Sequence, residues 1–203
     1  MQKAMTIAYA VGKNLYLNIT NRCPCACTFC IRTQASGVGS AEDLWLDHDP
    51  SVQEVKDALD QYNLSDFDEV VFCGYGEPIC ALDTIIAVAD YIHSKAAVQV
   101  RVNTNGLGDL IHQKRVAPLL KGHVDVVSIS LNAPNAQEYN QVTRPKFGIK
   151  SFEALLNFAK DCKQEGLDTR LTVVDVIGEK AVEESQKVAD SLGIPLRVRV
   201  YEE

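Results

Sequence analysis

Four cysteines fall within eight residues of the stretch NITNRCPCACTFCIR (18–32): Cys23, Cys25, Cys27 and Cys30. Thiolates are soft ligands that select zinc, copper(I) or iron–sulfur clusters. Cys27 and Cys30 have the spacing of a generic metal clamp, and Cys23 extends it to C-x3-C-x2-C. Cysteines this close on a tight loop are poorly placed to pair with one another as disulfides. With Cys25 included, four thiolates would suffice for a tetrahedral zinc site. Structural zinc sites usually draw two ligand pairs from separated segments, however. Four ligands from one short loop would wrap a metal on one side only. Three cysteines on three corners of a cubane suit the loop better, and leave a fourth corner open for a ligand that does chemistry. Cys25 falls off that spacing.

The elements around this loop alternate strand and helix. Apolar runs predict strands over 15–20, 68–73, 97–103, 124–131, 168–177 and 195–201. Helical spacing covers 52–62, 81–95, 110–120, 151–166 and 180–193, with Ser151 as N-cap and Gly166 as terminator of the fourth. Residues 6–11 suit a hairpin with the first strand through Gly12-Lys13. Six such strands imply a parallel sheet with right-handed crossovers. Two architectures fit: an open doubly wound sheet or a curved partial barrel. Function collects at the carboxyl ends of strands in such folds. The cysteines, CGYGEP (73–78), NTNG (103–106), SISLNAPN (128–135) and DVIGEK (175–180) each follow a different strand. All would meet on one edge, as parts of a single site. The loop 31–50 is long for a compact domain and holds Gly37, Gly39 and the only tryptophan, Trp45.

The 203 residues show no break in composition, which suits one domain over 1–203. There is no membrane-length apolar run, and the N-terminal apolar stretch is too short for a secretory signal. A net charge of −7 disfavours a broad basic surface for nucleic acid and leaves only a local patch open. Clustered cysteines without a signal sequence point to metal or redox chemistry in the cytoplasm.

C-x3-C-x2-C after a first strand, with Phe29 just before the last cysteine, resembles the radical S-adenosylmethionine (SAM) superfamily. GYGEP is similar to its GGEP-type motif, and NTNG and LNAPNAQEYNQVTRP to regions of its small, activase-like members. The resemblance runs from about Asn18 to the end of the chain. More narrowly, YLNITNRCPCACTFCIR, the tryptophan loop and GIPLRVRVYEE resemble the short TatD-associated radical SAM proteins. The resemblance selects the partial (β/α)6 TIM-type barrel. It implies a [4Fe–4S] cluster on Cys23, Cys27 and Cys30, with SAM chelating the fourth iron. Reductive cleavage of SAM would then give a 5′-deoxyadenosyl radical that takes hydrogen from a substrate the sequence does not name. It further implies a reductant such as flavodoxin or ferredoxin, and a functional link to a TatD-family hydrolase. An activating enzyme that makes a glycyl radical on a protein is an alternative, since nothing remains after the last strand to close the barrel and a large substrate would fit. From another class, a non-catalytic zinc or iron–sulfur module fits the cysteines but has no need of GYGEP or NTNG.

Chemical needs assign the remaining roles. The SAM ammonium wants carbonyl acceptors, which Gly74, Tyr75, Gly76 and Glu77 can expose in a turn; the competing reading is a tight turn with a helix-start Glu. Tyr75 stands where the motif usually has glycine, which disfavours a positive φ there. The ribose wants short polar side chains: Asn103, Ser130 and Asn132, the last two with Ser128 on one strand face. The SAM carboxylate wants a cation, with Arg144 first and Lys146 second. Adenine wants an apolar wall, for which Phe29 fits by position; Ile194 is a second candidate, and Val176 suits plain core packing better. Cys73, Cys80 and Cys162 have the look of small buried hydrophobes. Asp47, His48 and Asp49 mimic a metal cluster but suit a loop leading to an N-cap. Arg197 and Arg199 charge one face of the last strand, either guarding an edge or, with Arg170, facing an anionic substrate.

Overall fold

A computed structural model describes residues 5–33, 39–41 and 43–201. Gly37 of the long loop therefore lies outside the described residues. The chain divides into two compact units: Met1–Cys23, Ile31–Asn103 and Gly122–Asp125 form the first, and Pro24–Cys30, Thr104–Lys121 and Val126–Glu203 the second.

Unit one opens with the expected hairpin, β1 (Ala8–Val11) antiparallel to β2 (Asn14–Leu17). Gly12 sits at φ +58°, the left-handed conformation a two-residue hairpin turn requires. Helix α1 (Val52–Leu59) is started by a complete capping box between Ser51 and Glu54. Strand β3 (Glu69–Phe72), helix α2 (Leu82–Lys95) and strand β4 (Gln99–Thr104) complete a β-α-β unit. β2, β3 and β4 pair in parallel, with Leu17 opposite Phe72 and Phe72 opposite Val102. These three and Leu15, Val70 and Val100 are fully buried, as strands covered by helices must be. The opposite face carries Tyr16, Val71 and Arg101 in one row. Arg101 Nη2 meets Glu69 Oε2 at 2.9 Å with its side chain 8% exposed, a buried pair whose rupture costs about 3–5 kcal/mol.

Unit two contains α3 (Gly108–His112), α4 (Ala117–Leu120), β5 (Val126–Ser130), α5 (Ala136–Thr143), α6 (Lys150–Gln164), β6 (Asp168–Val174), α7 (Glu179–Leu192) and β7 (Leu196–Arg199). β5, β6 and β7 run parallel. Leu155, Phe158 and Cys162 of α6 and Ile129, Leu171 and Val173 of the strands form a core with no exposed area. Truncating Phe158 in it costs about 3–5 kcal/mol.

Several local expectations change. The helix over 110–120 is two short ones, because Gln113 adopts φ 53° and Pro118 starts a new turn rather than ending the old. Ser151 is no N-cap: α6 begins a residue earlier, with Ile149 at the cap and Ser151 fully buried. Helix α5 is new, launched by Asn135, whose side chain accepts from Glu138 N at 3.0 Å. β5 stops at Ser130, so strand alternation does not extend to Asn132, which turns to φ 56°. Of the three lone cysteines only Cys162 is buried; Cys73 and Cys80 are half-exposed. Burial pushes the Cys162 thiol well above its ordinary range, leaving it an inert packing group. Among the described residues, no helix is long and apolar enough to cross a membrane.

Candidate functional site

The chain passes from unit one to unit two between Cys23 and Pro24, and returns at Ile31. Each half of the cysteine loop has its own anchor. In unit one, the turn after β3 is pressed against the segment leading to Cys23. Glu77 N donates to Arg22 O at 2.7 Å. A Cβ on Gly76 would collide with Thr20 O and come within 2.9 Å of Arg22 O; one on Gly74 would collide with the Asn18 side chain. Both glycines are therefore dictated by close approach rather than by turn conformation, and neither has positive φ among the described residues.

Asn18 and Asn21 extend this anchor to the tryptophan loop. Buried Asn18 donates from Nδ2 to Leu44 O at 2.7 Å and Thr6 O at 3.2 Å. Asn21 exchanges two bonds with Leu46, donating to its carbonyl at 2.7 Å and accepting from its N–H at 3.1 Å. The side-chain amide thus copies a strand partner. Trp45 stands edge-on to Tyr75 at 5.3 Å, and Tyr75 packs with Tyr9, Ala41 and Leu44. The larger residue in place of the motif glycine is absorbed by this loop. Tyr75 keeps a negative φ, as a residue with a Cβ should. Tyr9 donates to Cys73 O at 3.0 Å, and burial first, then Cys73, pushes its phenol far above the ordinary range. Ser40 donates N–H to Ala10 O and accepts from Ala10 N, closing the outer edge of β1.

Glu77 is 4% exposed, and its carboxylate accepts from Ile79 N at 3.1 Å, capping a one-turn helix at Pro78–Ala81. The helix-start reading of this Glu is therefore correct for its side chain. What the turn offers a ligand is its backbone. Asn103 lies on β4 with a buried Oδ1 that has no hydrogen-bond partner. A buried orphan acceptor is costly unless a ligand or water meets it.

In unit two, the loop is tied to the end of α5. Ala26 N donates to Thr143 O at 3.0 Å, Thr28 N to Val142 O at 2.9 Å, and Lys146 N to Pro24 O at 2.8 Å. The Val142 and Thr143 carbonyls belong to the last turn of α5, where no intrahelical donor remains for them. Arg144 follows them at φ 45°, exposed, as the left-handed C-cap. Cys30 N donates to Cys27 O at 3.3 Å, so the two thiols flank one tight turn. Cys23, Cys27 and Cys30 are partly exposed and in no disulfide, whereas Cys25 is buried with Asn105 Nδ2 at 3.7 Å from its sulfur. Phe29 is half-buried, and Ser130 closes β5. Asn132 is held by N–H donation to Thr172 O at 3.3 Å. Val176 is 47% exposed, which removes it from the core, and Ile194 is buried. His48 and Asp49 serve structure, on Glu54 and Arg22 respectively.

Among the described residues, no three Cys, His, Asp or Glu side chains gather as ligands of a single ion. A cubane makes a different demand, since each thiolate binds its own iron. In unit two the partly exposed Cys27 and Cys30 flank one backbone-pinned turn, and in unit one Cys23 is partly exposed and Asn103 Oδ1 on β4 is orphaned; thiolates and a carbonyl acceptor are donor types that fit a cluster with an organic ligand.

The Radical SAM superfamily model matches residues 17–190, so the chain belongs to that superfamily. That superfamily works with a [4Fe–4S] cluster and SAM. The GTP 3′,8-cyclase of Corynebacterium glutamicum is 31% identical over 145 residues, covering 66% of this chain and 34% of its own. The chain thus spans about a third of that relative. Among solved structures, native anSMEcpe with bound AdoMet aligns with TM-score 0.66 at 17% identity, over 93% of this chain and 51% of that one. Streptococcus suis SuiB, bound to precursor peptide SuiA, aligns with TM-score 0.69 at 16% identity, over 94% and 40%. The likeness shows the fold: α/β with mostly parallel strands in each unit, consistent with the partial TIM-type radical SAM fold.

Proposed function

We propose that Cys23, Cys27 and Cys30 hold a [4Fe–4S] cluster, and that residues 1–203 act as one radical SAM core domain that abstracts hydrogen from a substrate. When bound, the cluster supplies the electron that splits SAM reductively. The chain's own residues bind and orient. Backbone carbonyls of Gly74, Tyr75, Gly76 and Glu77 accept from the SAM ammonium, and Arg144 receives its carboxylate. Asn103, Ser130 and Asn132 meet the ribose, and Phe29 walls the adenine. The packed turn excludes water from the acceptors it presents. Cys25 stays outside the ligand set.

The observation that carries this reading is the lock between Gly76–Glu77 and Thr20–Arg22. It holds a carbonyl-rich turn directly beside the first ligand cysteine, where a zinc clamp would gain nothing from it. A small electron-transfer protein such as flavodoxin or ferredoxin serves as reductant, and the cytoplasm suits reduced cysteines. A TatD-family hydrolase is the proposed functional neighbour. The test is product analysis on anaerobically reconstituted, reduced protein given SAM. The reading requires 5′-deoxyadenosine from the wild type and none from Cys27→Ala. Zinc loading without SAM binding would refute it.

A further inference from the structure

The register of β5, β6 and β7 sorts unit two into two faces. Ser128 stands opposite Arg170, Ser130 opposite Thr172, Thr172 opposite Arg197 and Val174 opposite Arg199. Opposed residues share a face. One face therefore carries Ser130, Thr172, Arg197 and Arg199. The other carries Ile129, Leu171 and Val173, fully buried. That second face is the helix side, because Ile129 and Leu155 of α6 both crowd the space at Gly106. The arginines point away from the helices, on the face that holds Ser130.

Their charges stand apart from the others. Arg22, Arg101, Arg115 and Arg170 each hold a carboxylate. Arg197 and Arg199 are exposed and, among the described residues, make no ion pair or side-chain hydrogen bond. In a chain of net charge −7 carboxylates are plentiful, yet among the described residues none pairs with these two. Guanidinium forks match oxyanions in geometry as well as charge. Two residues apart on a strand, the two side chains project from Cα atoms about 6.6 Å apart.

We infer that Arg197 and Arg199 form the grip for a substrate bearing two oxyanion groups, phosphate or carboxylate, one to each arginine. This rests on the proposed function in one respect: Ser130, the proposed ribose contact, shares the face, so the bound anion lies on the SAM side of the strands. The grip itself is testable without any radical chemistry.

Isothermal titration of the anaerobically reconstituted full chain at low salt is the experiment, with pyrophosphate and succinate as separate probes. One of them binds the wild type, and which one identifies the anionic group. Affinity falls about tenfold or more in the Arg197→Gln/Arg199→Gln double variant. The charge-keeping Arg197→Lys/Arg199→Lys variant, which loses the fork geometry, binds with an affinity between those of the wild type and the glutamine variant, and Lys187→Gln on helix α7 changes nothing. Melting curves verify that each variant is folded. Absence of binding to the wild type overturns the inference. So does unchanged binding in the glutamine variant; if that variant also self-associates, the arginines guard an edge strand instead. Failure here with 5′-deoxyadenosine still formed sinks only the anion grip. Binding without 5′-deoxyadenosine sinks only the radical reading.

Discussion

The two ends of the cysteine loop are held in contrasting ways. The segment before Cys23 is held by particular side chains, or by their absence. Gly76 and Gly74 give way to Thr20, Arg22 and Asn18, while Asn18 and Asn21 bond the tryptophan loop. The segment after Cys23 is tied to the end of α5 chiefly through backbone, by N–H groups of Ala26 and Thr28 on its last carbonyls. Side-chain anchors are specific and fragile, because one substitution removes them. Backbone anchors tolerate almost any residue except proline, which lacks the donor.

The sharpest way to break the comparison is to remove the metal ligand and leave both anchors intact. Cys27→Ala should abolish iron loading and 5′-deoxyadenosine formation while the melting temperature of the metal-free protein stays within a few degrees, measured by iron analysis, product assay and circular dichroism. A melting temperature that collapses would mean the thiol, rather than the anchors, shapes the loop. Next in size is Gly76→Val. Its side chain has nowhere to go but into Thr20 O, at a cost of about 1–3 kcal/mol. SAM affinity should fall by about a hundredfold or more in equilibrium dialysis, since the turn must withdraw from Arg22.

Ala26→Pro tests the backbone anchor by deleting the donor to Thr143 O, with an expected loss of about 1–3 kcal/mol in urea unfolding. Ala26→Val keeps the N–H and should be nearly silent; equal effects from the two would contradict a backbone tether. Asn21→Ala strips both partners from Leu46, and about 1–2 kcal/mol of stability with them. Tryptophan fluorescence should report the loosening at Trp45. The smallest effect lies on the surface of unit one. Hydrogen bonds from Ser51 and His48 lower the Glu54 carboxyl to about 2. A lowered carboxyl gives stability that is full above its ordinary value of 4.5 and is lost as pH falls towards 2. Glu54→Gln should flatten that acid limb slightly in pH-dependent melting, leaving the cysteine loop untouched.

The same contrast separates what was legible in the sequence. Glycine and cysteine announce themselves because few residues can replace them. Hence CxxxCxxC, GYGEP and the alternation of strands and helices could be read directly, and with them the superfamily. Capping signals were readable at Ser51, where Glu54 stands three residues on, and misleading at Ser151, where the hydroxyl is buried instead. Asn18 and Asn21 went unnoticed beside the cysteines, because an asparagine gives no hint of which distant carbonyl it will meet. Helix α5 was missed, since AQEYNQVT has weak apolar periodicity and the sequence shows no tether.

The sequence by itself determined the proposed donor set and the superfamily, because ligand type and spacing are local properties of the chain. The alternating strands and helices likewise follow from residue order, through apolar periodicity. Only the tertiary structure decided that Cys25 turns inward to Asn105, that Glu77 caps a helix turn, that Asn132 leaves the strand, and that Arg197 and Arg199 share a face with Ser130. Each of these depends on register or on contact between residues far apart in the chain, and a residue's spacing to its sequence neighbours carries no record of either.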